Sequence, residues 1–182
     1  MPPAPPAELD DLTLARARRG ERAACSRFVA FYERRVFAVL SRVLGPHGRA
    51  AVVEDLAQET FLRALRALPR FVPNGPARVS TWLLTIATRQ ALTELRRRGP
   101  TIASIEPSSE GDPERVHVRR DLERAIAELT PEQRAVFVLR DAHGFTEAEV
   151  AEALEIEIPA VKSRLHRART RLRTLLGNRG ES

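Results

Sequence analysis

The residues with the clearest chemical role lie near the C-terminus, in a helix-length run that is rich in arginine. Between Val161 and Leu175 the chain has several arginines, a lysine and a histidine, but no aspartate or glutamate. Like charges three or four residues apart on a helix repel each other, so a helix that only meets water usually mixes its signs. A polyanion removes this repulsion and releases condensed counterions. The run therefore favours a nucleic-acid surface over a merely solvated face.

A helix-turn-helix pattern positions this run. Thr146, with Glu149 three residues later, is a capping-box pattern that predicts the start of a first helix. Pro159 suits the first turn of a second helix, in which Val161 and Leu165 begin an inward stripe. In a helix-turn-helix, the start of the second helix reaches base edges in the major groove, and later cations hold phosphates. The pattern therefore predicts binding to duplex DNA.

The polar residues of the second helix are assigned roles by their position along it. Those near its start are predicted to contact bases: Lys162, Ser163 and His166. Two arginines can contact either bases or phosphates: Arg164 and Arg167. Those further along are predicted to hold phosphate or to remain in water: Arg169, Arg171 and Arg173.

The composition disfavours several classes of function. The chain has 182 residues, of which 43% are hydrophobic and 30% charged, and its net charge of +6 favours an anionic partner. No His/Cys/Asp cluster has metal-ligand spacing, and the sequence contains neither a P-loop nor a nucleophile motif. The histidines are scattered along the chain: His47, His117, His143 and His166. We therefore predict that the protein is not an enzyme and has no metal or cofactor.

The N-terminus and the lone cysteine bear on location. No apolar run is long enough to span a bilayer, and the segment from Pro2 to Pro6 does not resemble a signal peptide. We therefore expect a cytoplasmic protein without membrane insertion. Cys25 cannot form an internal disulfide, and we interpret it as a small buried apolar residue rather than a redox-sensing thiol.

Helical periodicity, without strand alternation, predicts an all-α fold of two small domains joined by a flexible linker. The first domain is predicted at residues 12–98, with long helices at about 21–44, 52–68 and 82–98. Ser80 is predicted to cap the third of these helices, after a loop at 69–79 that is rich in proline and glycine. Residues 1–11 are predicted to be disordered.

The linker and the second domain are predicted from a change in composition. Residues 99–118 hold many prolines, serines and polar residues and few large apolar ones, which predicts a flexible linker. The second domain is predicted at 119–177, with a helix at about 121–129 and a tail at 178–182. Thr130, Pro131 and Gln133 carry the capping signals for a further helix that ends before Gly144. Apolar residues of this domain are predicted to form a small core of its own.

An acidic surface is predicted on the helix at about 52–68. Asp55, Gln58, Glu59 and Leu62 have the spacing of neighbours on one side of this helix, away from its apolar stripe. The residues alone leave two interpretations open, a solvated face or a contact surface for another protein.

Three motifs, in register, resemble bacterial sigma factors of the extracytoplasmic-function (ECF) group. They are DLAQETFLR at 55–63, then TWL at 81–83 with IA at 86–87 and RR at 96–97, and finally VKSRL at 161–165 with RAR at 167–169. The similarity covers about residues 14–176, in the same order and with a linker in the same place.

The resemblance implies a function for each domain. The first domain would be sigma region 2, which binds RNA polymerase core and opens the minus-ten promoter element, and the second would be sigma region 4, which binds the minus-thirty-five element. Asp55 and Gln58 become candidate contacts to the clamp helices of the largest polymerase subunit, together with Glu59 and an apolar anchor at Leu62. The flap of the second-largest subunit and an anti-sigma factor are further implied partners, and the chain is expected to be monomeric.

The resemblance also implies that the loop at 70–78 and the helix after it capture unpaired promoter DNA. Arginines would hold the strand while a flipped base enters a pocket. The candidate residues are Arg78, Trp82, Arg89, Arg96 and Arg97. Trp82 can stack on a base or pack in the core, and as the only tryptophan we assign it a structural role first.

The sequence departs from the family pattern in both domains. Arg89 stands where asparagine is common and Thr93 where aspartate is common, which affects the expected base preference at the minus-ten element. In the turn of the helix-turn-helix, Glu155 stands where glycine is usual, and Glu157 and Ala160 replace residues that are often serine and threonine. We therefore expect a left-handed or strained backbone at Glu155.

The main alternative is a helix-turn-helix repressor or activator that binds duplex DNA as a symmetric dimer, without core polymerase. Such a protein would occupy half-sites about one helical turn apart. The sequence has no seam-like heptad or evident ligand pocket to support it. An enzyme acting on nucleic acid is the second alternative, and the missing catalytic motifs disfavour it.

Overall fold

The computed structural model describes residues 7–73, 75, 77–98 and 113–177, and within them every regular element is helical. This confirms the predicted all-α fold. The α-helices are α1 (Asp11–Arg18), α2 (Arg22–Leu44), α3 (Ala50–Ala67), α4 (Val79–Arg98), α5 (Pro113–Ala127), α6 (Pro131–Phe137), α7 (Glu147–Leu154) and α8 (Ile158–Gly177). Short 3₁₀ turns follow α2 and α3, and a π-helical turn, Val138–Ala142, continues α6. None of the described helices is long and apolar enough to cross a membrane.

Helix α2 is the centre of the first domain. Its residues Phe28, Tyr32, Val36 and Leu40 are fully buried, at 0% exposure, as the spacing of four predicts. Helices α1, α3 and α4 pack around it. A buried hydrogen bond also joins α3 to α4, because Gln90 Nε2 donates to Thr60 Oγ1 at 2.9 Å.

The start of α4 differs from the prediction. Ser80 lies inside the helix, which begins one residue earlier at Val79, so Ser80 is not the N-cap. The free N–H of Ser80 instead donates to Glu8 Oε2 at 3.2 Å, and its hydroxyl donates to the other oxygen of the same carboxylate. Tyr32 also donates to Glu8 at 2.8 Å. The carboxylate of Glu8, which is distant in the sequence, therefore accepts the hydrogen bonds that a local N-cap would accept.

Helix α5 also begins earlier than predicted. It starts at Pro113, whereas the sequence suggested a start near Asp121, so residues 113–118 of the predicted linker are helical. Proline suits the first helical position because its missing N–H has no acceptor there. The rest of the predicted linker, residues 99–112, lies outside the described residues, as do residues 1–6 and 178–182.

The capping signals of the second half are confirmed. Thr130 and Gln133 form both hydrogen bonds of a capping box at the start of α6, and Thr146 with Glu149 does the same for α7. Helix α8 begins at Ile158, with Pro159 as its second residue. Its buried stripe consists of Val161, Leu165, Ala168 and Leu172.

The two halves of the chain share one buried apolar cluster. Val136, Leu139, Phe145 and Val150 of the second half belong to the same cluster as the core around α2 and α4. The prediction of a separate small core is therefore wrong for these residues, because α6 and α7 pack on α2 and α4 as well as on α8. A second cluster joins α5 to the end of α8, through Ile126, Leu129 and Leu172 among others.

A buried arginine holds this junction. Arg134 is 4% exposed. Its guanidinium donates to the carbonyls of Ile126, Ala127 and Leu129, which lie at the end of α5 and just beyond it, at 2.8 to 3.2 Å. Its Nη1 also donates to the carbonyl of Val43 in α2 at 3.0 Å. Burial lowers the pKa of Arg134 to about 10, so the side chain remains charged at neutral pH.

A glycine makes room for this side chain. Gly45, which ends α2, has φ of 54°, in the left-handed region that favours glycine. A Cβ at this position would overlap the guanidinium of Arg134. The end of α2 and the start of α6 therefore fit each other only because residue 45 has no side chain.

Replacing Arg134 with methionine should lower the free energy of unfolding by about 3 kcal/mol, because buried carbonyls that lose their donor are left unsatisfied. Urea denaturation at pH 7 measures this loss. The matched control is Arg173→Met, at an exposed position of α8, and it should change stability by less than about 0.5 kcal/mol. Equal stability of the two variants would contradict the role given to Arg134.

Candidate nucleic-acid interface

Helix α8 presents the surface that its sequence predicts. Its buried stripe packs inward, and the exposed residues on the other side include most of the candidate DNA contacts: Lys162, Ser163, His166, Arg167, Arg169 and Arg171. Arg164 differs from these because it is only partly exposed and lines a cleft between the two halves of the chain. The helix thus brings the predicted cations together on one accessible face, with Arg164 at its edge.

Several of these cations already have partners within the chain. Arg169 donates to both carboxylate oxygens of Asp141, at 2.9 and 2.7 Å, and this hydrogen bonding raises the pKa of Arg169. Lys162 lies 3.7 Å from Glu147. Arg171 Nη2 lies 4.0 Å from Glu128, whose side chain is 64% exposed. The pairs of Lys162 and Arg171 are exposed enough for a phosphate to displace the carboxylates at small cost. Arg169 would have to give up a bidentate pair with Asp141, whose side chain is 24% exposed.

The start of α8 is organised differently. Arg167 Nη2 donates to the hydroxyl of Ser163 at 2.6 Å, which orients the guanidinium along the helix toward its N-terminal end. That end is the part of a recognition helix that reaches base edges. His166 is exposed, and within the described parts of the chain it has no hydrogen-bond or ion-pair partner. Of the three proposed base-contacting residues, the structure therefore leaves His166 without a partner in the described chain, while Lys162 lies near Glu147 and Ser163 accepts from Arg167.

The turn between α7 and α8 contains the expected left-handed residue. Glu155 has φ of 55° and ψ of 47°, and it is the one non-glycine residue with positive φ in the described chain. The N–H of Ile156 donates to the carbonyl of Ala151 at 3.0 Å, which closes the end of α7. The turn therefore keeps a helix-turn-helix geometry although a glutamate occupies the position that favours glycine.

The candidate residues for unpaired DNA are only partly grouped. Arg96 and Arg97 are exposed at the end of α4, and Arg97 donates to Glu94 at 3.0 and 3.1 Å. Arg78 is half-buried just before α4. Trp82 is also half-buried, and its ring lies 5.1 Å from that of Phe71, which supports the structural role assigned first.

Arg89 lies against the second half of the chain. Its guanidinium donates to the carbonyls of Ala153 and Glu152 at the end of α7, at 2.8 and 2.9 Å, and lies 3.2 Å from the carboxylate of Glu155. In this arrangement Arg89 is engaged by α7 and is not available to DNA. Nothing in the sequence pattern indicates this contact, because the partners are more than sixty residues apart.

The acidic surface of α3 is accessible. Asp55 and Gln58 are exposed, and Leu62 is 49% exposed, which is unusual for a leucine beside a packed core. Glu59 is partly buried and accepts a hydrogen bond from Arg63 on the next turn. The arrangement presents two polar groups and an apolar anchor side by side, as a protein contact requires.

A cleft of about 1000 Å³ separates part of α4 from α6, α7 and α8. Its apolar wall includes Leu92, Leu95 and Leu154, and four arginines line it: Arg89, Arg96, Arg134 and Arg164. Within the described residues, no group of three or more His, Cys, Asp or Glu side chains is placed to hold a metal ion. The cleft is a feature that sequence reasoning did not find, since it depends on how the two halves pack.

Two family models match the chain, one after the other. Sigma-70 region 2 matches residues 28–101, and Sigma-70, region 4 matches residues 119–172. The first match contains the acidic surface of α3 and the arginines of α4. The second contains the helix-turn-helix and most of α8.

Curated relatives are RNA polymerase sigma factors. The chain is 33% identical over 153 residues to the ECF RNA polymerase sigma factor SigE of Mycolicibacterium smegmatis, which covers 78% of this chain and 57% of SigE. It is 33% identical over 171 residues to the RNA polymerase sigma factor CarQ of Myxococcus xanthus, which covers 90% of this chain and 95% of CarQ. The chain spans about half the length of the first curated relatives that it matches.

A solved structure shares the fold. It is the sigma factor RpoE in complex with the anti-sigma factor NepR from Bartonella quintana, with a TM-score of 0.68 and 26% sequence identity. The match covers 84% of this chain and 96% of that chain. The similarity therefore extends over both halves and includes their helical arrangement.

Replacing Glu155 with glycine should raise the free energy of unfolding by about 1 kcal/mol, because an L-residue in the left-handed region carries a strain of that order. The lost pair with Arg89 offsets little of this, since the Glu155 side chain is 76% exposed. Thermal unfolding measures the change. Glu157→Gly is the control, because Glu157 does not have a positive φ, and it should not stabilise. A Glu155→Gly protein that melts lower than the parent would contradict the strain argument.

Proposed function

Because this chain belongs to the ECF group of the sigma-70 family of RNA polymerase sigma factors, we propose that it binds polymerase core, directs it to particular promoters and helps to melt the DNA there. The observation that carries the proposal is the order of the surfaces along the chain. An accessible acidic and apolar patch on α3 comes first, arginines on α4 follow, and a cationic recognition helix, α8, comes last. The family matches divide the chain in the same order.

The proposed DNA contacts divide between the two promoter elements. At the minus-thirty-five element, the start of α8 would contact bases and its later cations would hold phosphates. At the minus-ten element, Arg78, Arg96 and Arg97 would hold the displaced strand, with Arg89 joining them once it leaves α7. Trp82 would support this surface from below through its packing on Phe71.

The proposed protein partners follow from the family. The α3 patch would contact the clamp helices of the largest polymerase subunit, and region 4 would contact the flap of the second-largest subunit. An anti-sigma factor is a further proposed partner, supported by the match to a sigma factor solved with one. We propose that the protein acts as a monomer in the bacterial cytoplasm, where these partners lie.

The alternative function, a dimeric repressor or activator, predicts a different experimental result. We expect that adding the chain to purified bacterial core polymerase gives start-site-specific transcripts, and that permanganate detects unpaired thymines near the start site. The free chain should bind promoter duplex weakly and with strong salt dependence, because each half offers few phosphate contacts. Nanomolar footprints of the free protein on a palindromic duplex, with no effect of core polymerase, would instead establish the alternative.

Reversing the charge at Asp55 should weaken core binding at least about tenfold, because a like charge across a protein interface is repelled. The position is exposed, so Asp55→Arg should fold normally, which circular dichroism checks. The control is Glu33→Arg, which makes the same charge change at an exposed position of α2, outside the α3 patch. If both variants bind core equally well, the α3 patch is a solvated face and not a contact surface.

Replacing Arg167 with alanine should weaken use of minus-thirty-five promoters by roughly 1 to 3 kcal/mol if the guanidinium reaches base edges. The effect should depend on promoter sequence. Arg171→Ala should instead weaken binding to all sequences and reduce the salt dependence by about one unit, as loss of a phosphate contact does. Holoenzyme binding to matched and mismatched promoters at several salt concentrations separates the two. Normal promoter selectivity in Arg167→Ala would refute the assignment.

A further inference from the structure

One carboxylate near the N-terminus joins two helices of the first half of the chain. Glu8 Oε2 accepts from the backbone N–H of Ser80 at 3.2 Å and from the hydroxyl of Tyr32 at 2.8 Å, and Oε1 accepts from the hydroxyl of Ser80. Ser80 is 2% exposed and Tyr32 is fully buried. The three donors are therefore shielded from water, and the charged acceptor makes strong hydrogen bonds with them.

The hydrogen bond to the Ser80 N–H acts on the start of α4. The first N–H groups of a helix have no acceptor within it, and the helix dipole favours a negative charge beside them. Helix α4 begins at Val79, one residue before Ser80 and directly after the loop at 70–78. Glu8 therefore helps to fix the point at which this loop ends and α4 begins.

A second contact from the N-terminal segment lies at the other end of the same loop. Arg18, in the last turn of α1, donates from Nη2 to the carbonyl of Pro69 at 3.5 Å. Pro69 belongs to the 3₁₀ turn that follows α3, and α1 packs on this turn. Asp10 caps α1 by accepting from the N–H of Thr13 at 2.8 Å, which connects Glu8 to an ordered helix. The segment at 8–18 thus contacts both ends of the loop.

The loop between these contacts is the one proposed to capture unpaired DNA. Its Phe71 ring lies 5.1 Å from that of Trp82, and the neighbouring Val72 is 66% exposed. An exposed apolar group beside an aromatic pair suits the capture of an unstacked base. The match to Sigma-70 region 2 begins at residue 28, so it covers the loop but neither Glu8 nor Arg18. Part of what holds the loop therefore lies outside the matched region.

We propose that Glu8 is a positioning residue for promoter melting, which holds the loop at 70–78 in its DNA-binding conformation by capping α4. This role rests on the proposed function. Glu8 acts through Ser80 and the loop, because its carboxylate is turned toward α2 and α4. A loop that is ordered in advance binds more tightly, since the free-energy cost of ordering it does not fall on the binding step.

The only tryptophan of the chain, Trp82, tests the effect on the loop without polymerase. Its ring is half-buried against Phe71. In the full-length chain, Glu8→Ala should increase acrylamide quenching of Trp82 about twofold, because a loosened start of α4 exposes the ring more often. The circular dichroism spectrum should not change.

The control for the quenching experiment is Asp11→Ala. It removes the same charge three residues later, at an exposed position in the first turn of α1. Quenching in this variant should equal that of the parent. Equal quenching in Glu8→Ala and the parent would overturn the proposal.

The affinity of holoenzyme for unpaired DNA tests the functional consequence. The probe is a fluorescent single-stranded oligonucleotide that spans the thymines which permanganate detects with the parent holoenzyme. Glu8→Ala should weaken its binding about fivefold, since only molecules with a competent loop bind, and should leave core affinity within about twofold of the parent. Asp11→Ala should match the parent in both measurements. An unchanged oligonucleotide affinity, or an equal loss of core affinity, would overturn the positioning role.

A double-mutant cycle with Ser80→Ala tests whether Glu8 acts through α4. Ser80→Ala removes one donor to Glu8 and keeps the N–H, so alone it should weaken oligonucleotide binding about twofold, and in a Glu8→Ala chain it should add nothing. Additive losses would overturn the coupling. A parent that neither binds core nor opens promoters would refute the proposed function, whereas Trp82 quenching would still decide whether Glu8 holds the loop.

Discussion

The buried guanidinium of Arg134 is the interaction on which the arrangement of the two helical halves depends. It satisfies the carbonyls where α5 ends and the carbonyl of Val43 in α2 with one side chain. A buried charge is tolerated only when its donors are used in this way. Because α6 carries Arg134 and also packs on α8, the same anchor that joins the halves sets the position of the recognition helix. Gly45 belongs to this anchor, since any larger residue would occupy the space of the guanidinium.

Arginines have different roles at this junction and on α8. At the junction, guanidinium groups donate hydrogen bonds to backbone carbonyls and hold helices together. On α8, they pair with carboxylates: Arg169 with Asp141, whose side chain is 24% exposed, and Arg171 with the exposed Glu128. Exposed pairs of this kind are nearly neutral for stability, so exchanging a carboxylate for a phosphate costs little and gains the released counterions. A cationic helix can therefore be folded in the absence of DNA and still bind it.

The sequence predicted the features whose causes are local. The capping boxes at Thr130 and Thr146, and the inward stripe of α8, depend on residues within a turn or two, and all of them are confirmed. The predicted start of α4 was wrong because the residue that caps this helix, Glu8, lies 72 residues before Ser80. The shared core was missed for the same reason, since patterning shows which face is apolar but not which element covers it. Long-range partners of polar residues leave no periodic signal.

Two departures from the family pattern, at Arg89 and Glu155, were noticed separately in the sequence and meet in the structure. Glu155 has a left-handed backbone conformation in the turn that sets the direction of α8. Its carboxylate faces the guanidinium of Arg89, which joins α4 to α7. With glycine at 155, the turn would keep its shape with less strain but would lose this charge. A shorter asparagine at 89 would not provide the fork that holds two carbonyls at once. The two residues therefore have a joint physical explanation that neither has alone, in which a strained turn carries the acceptor for a contact between the halves.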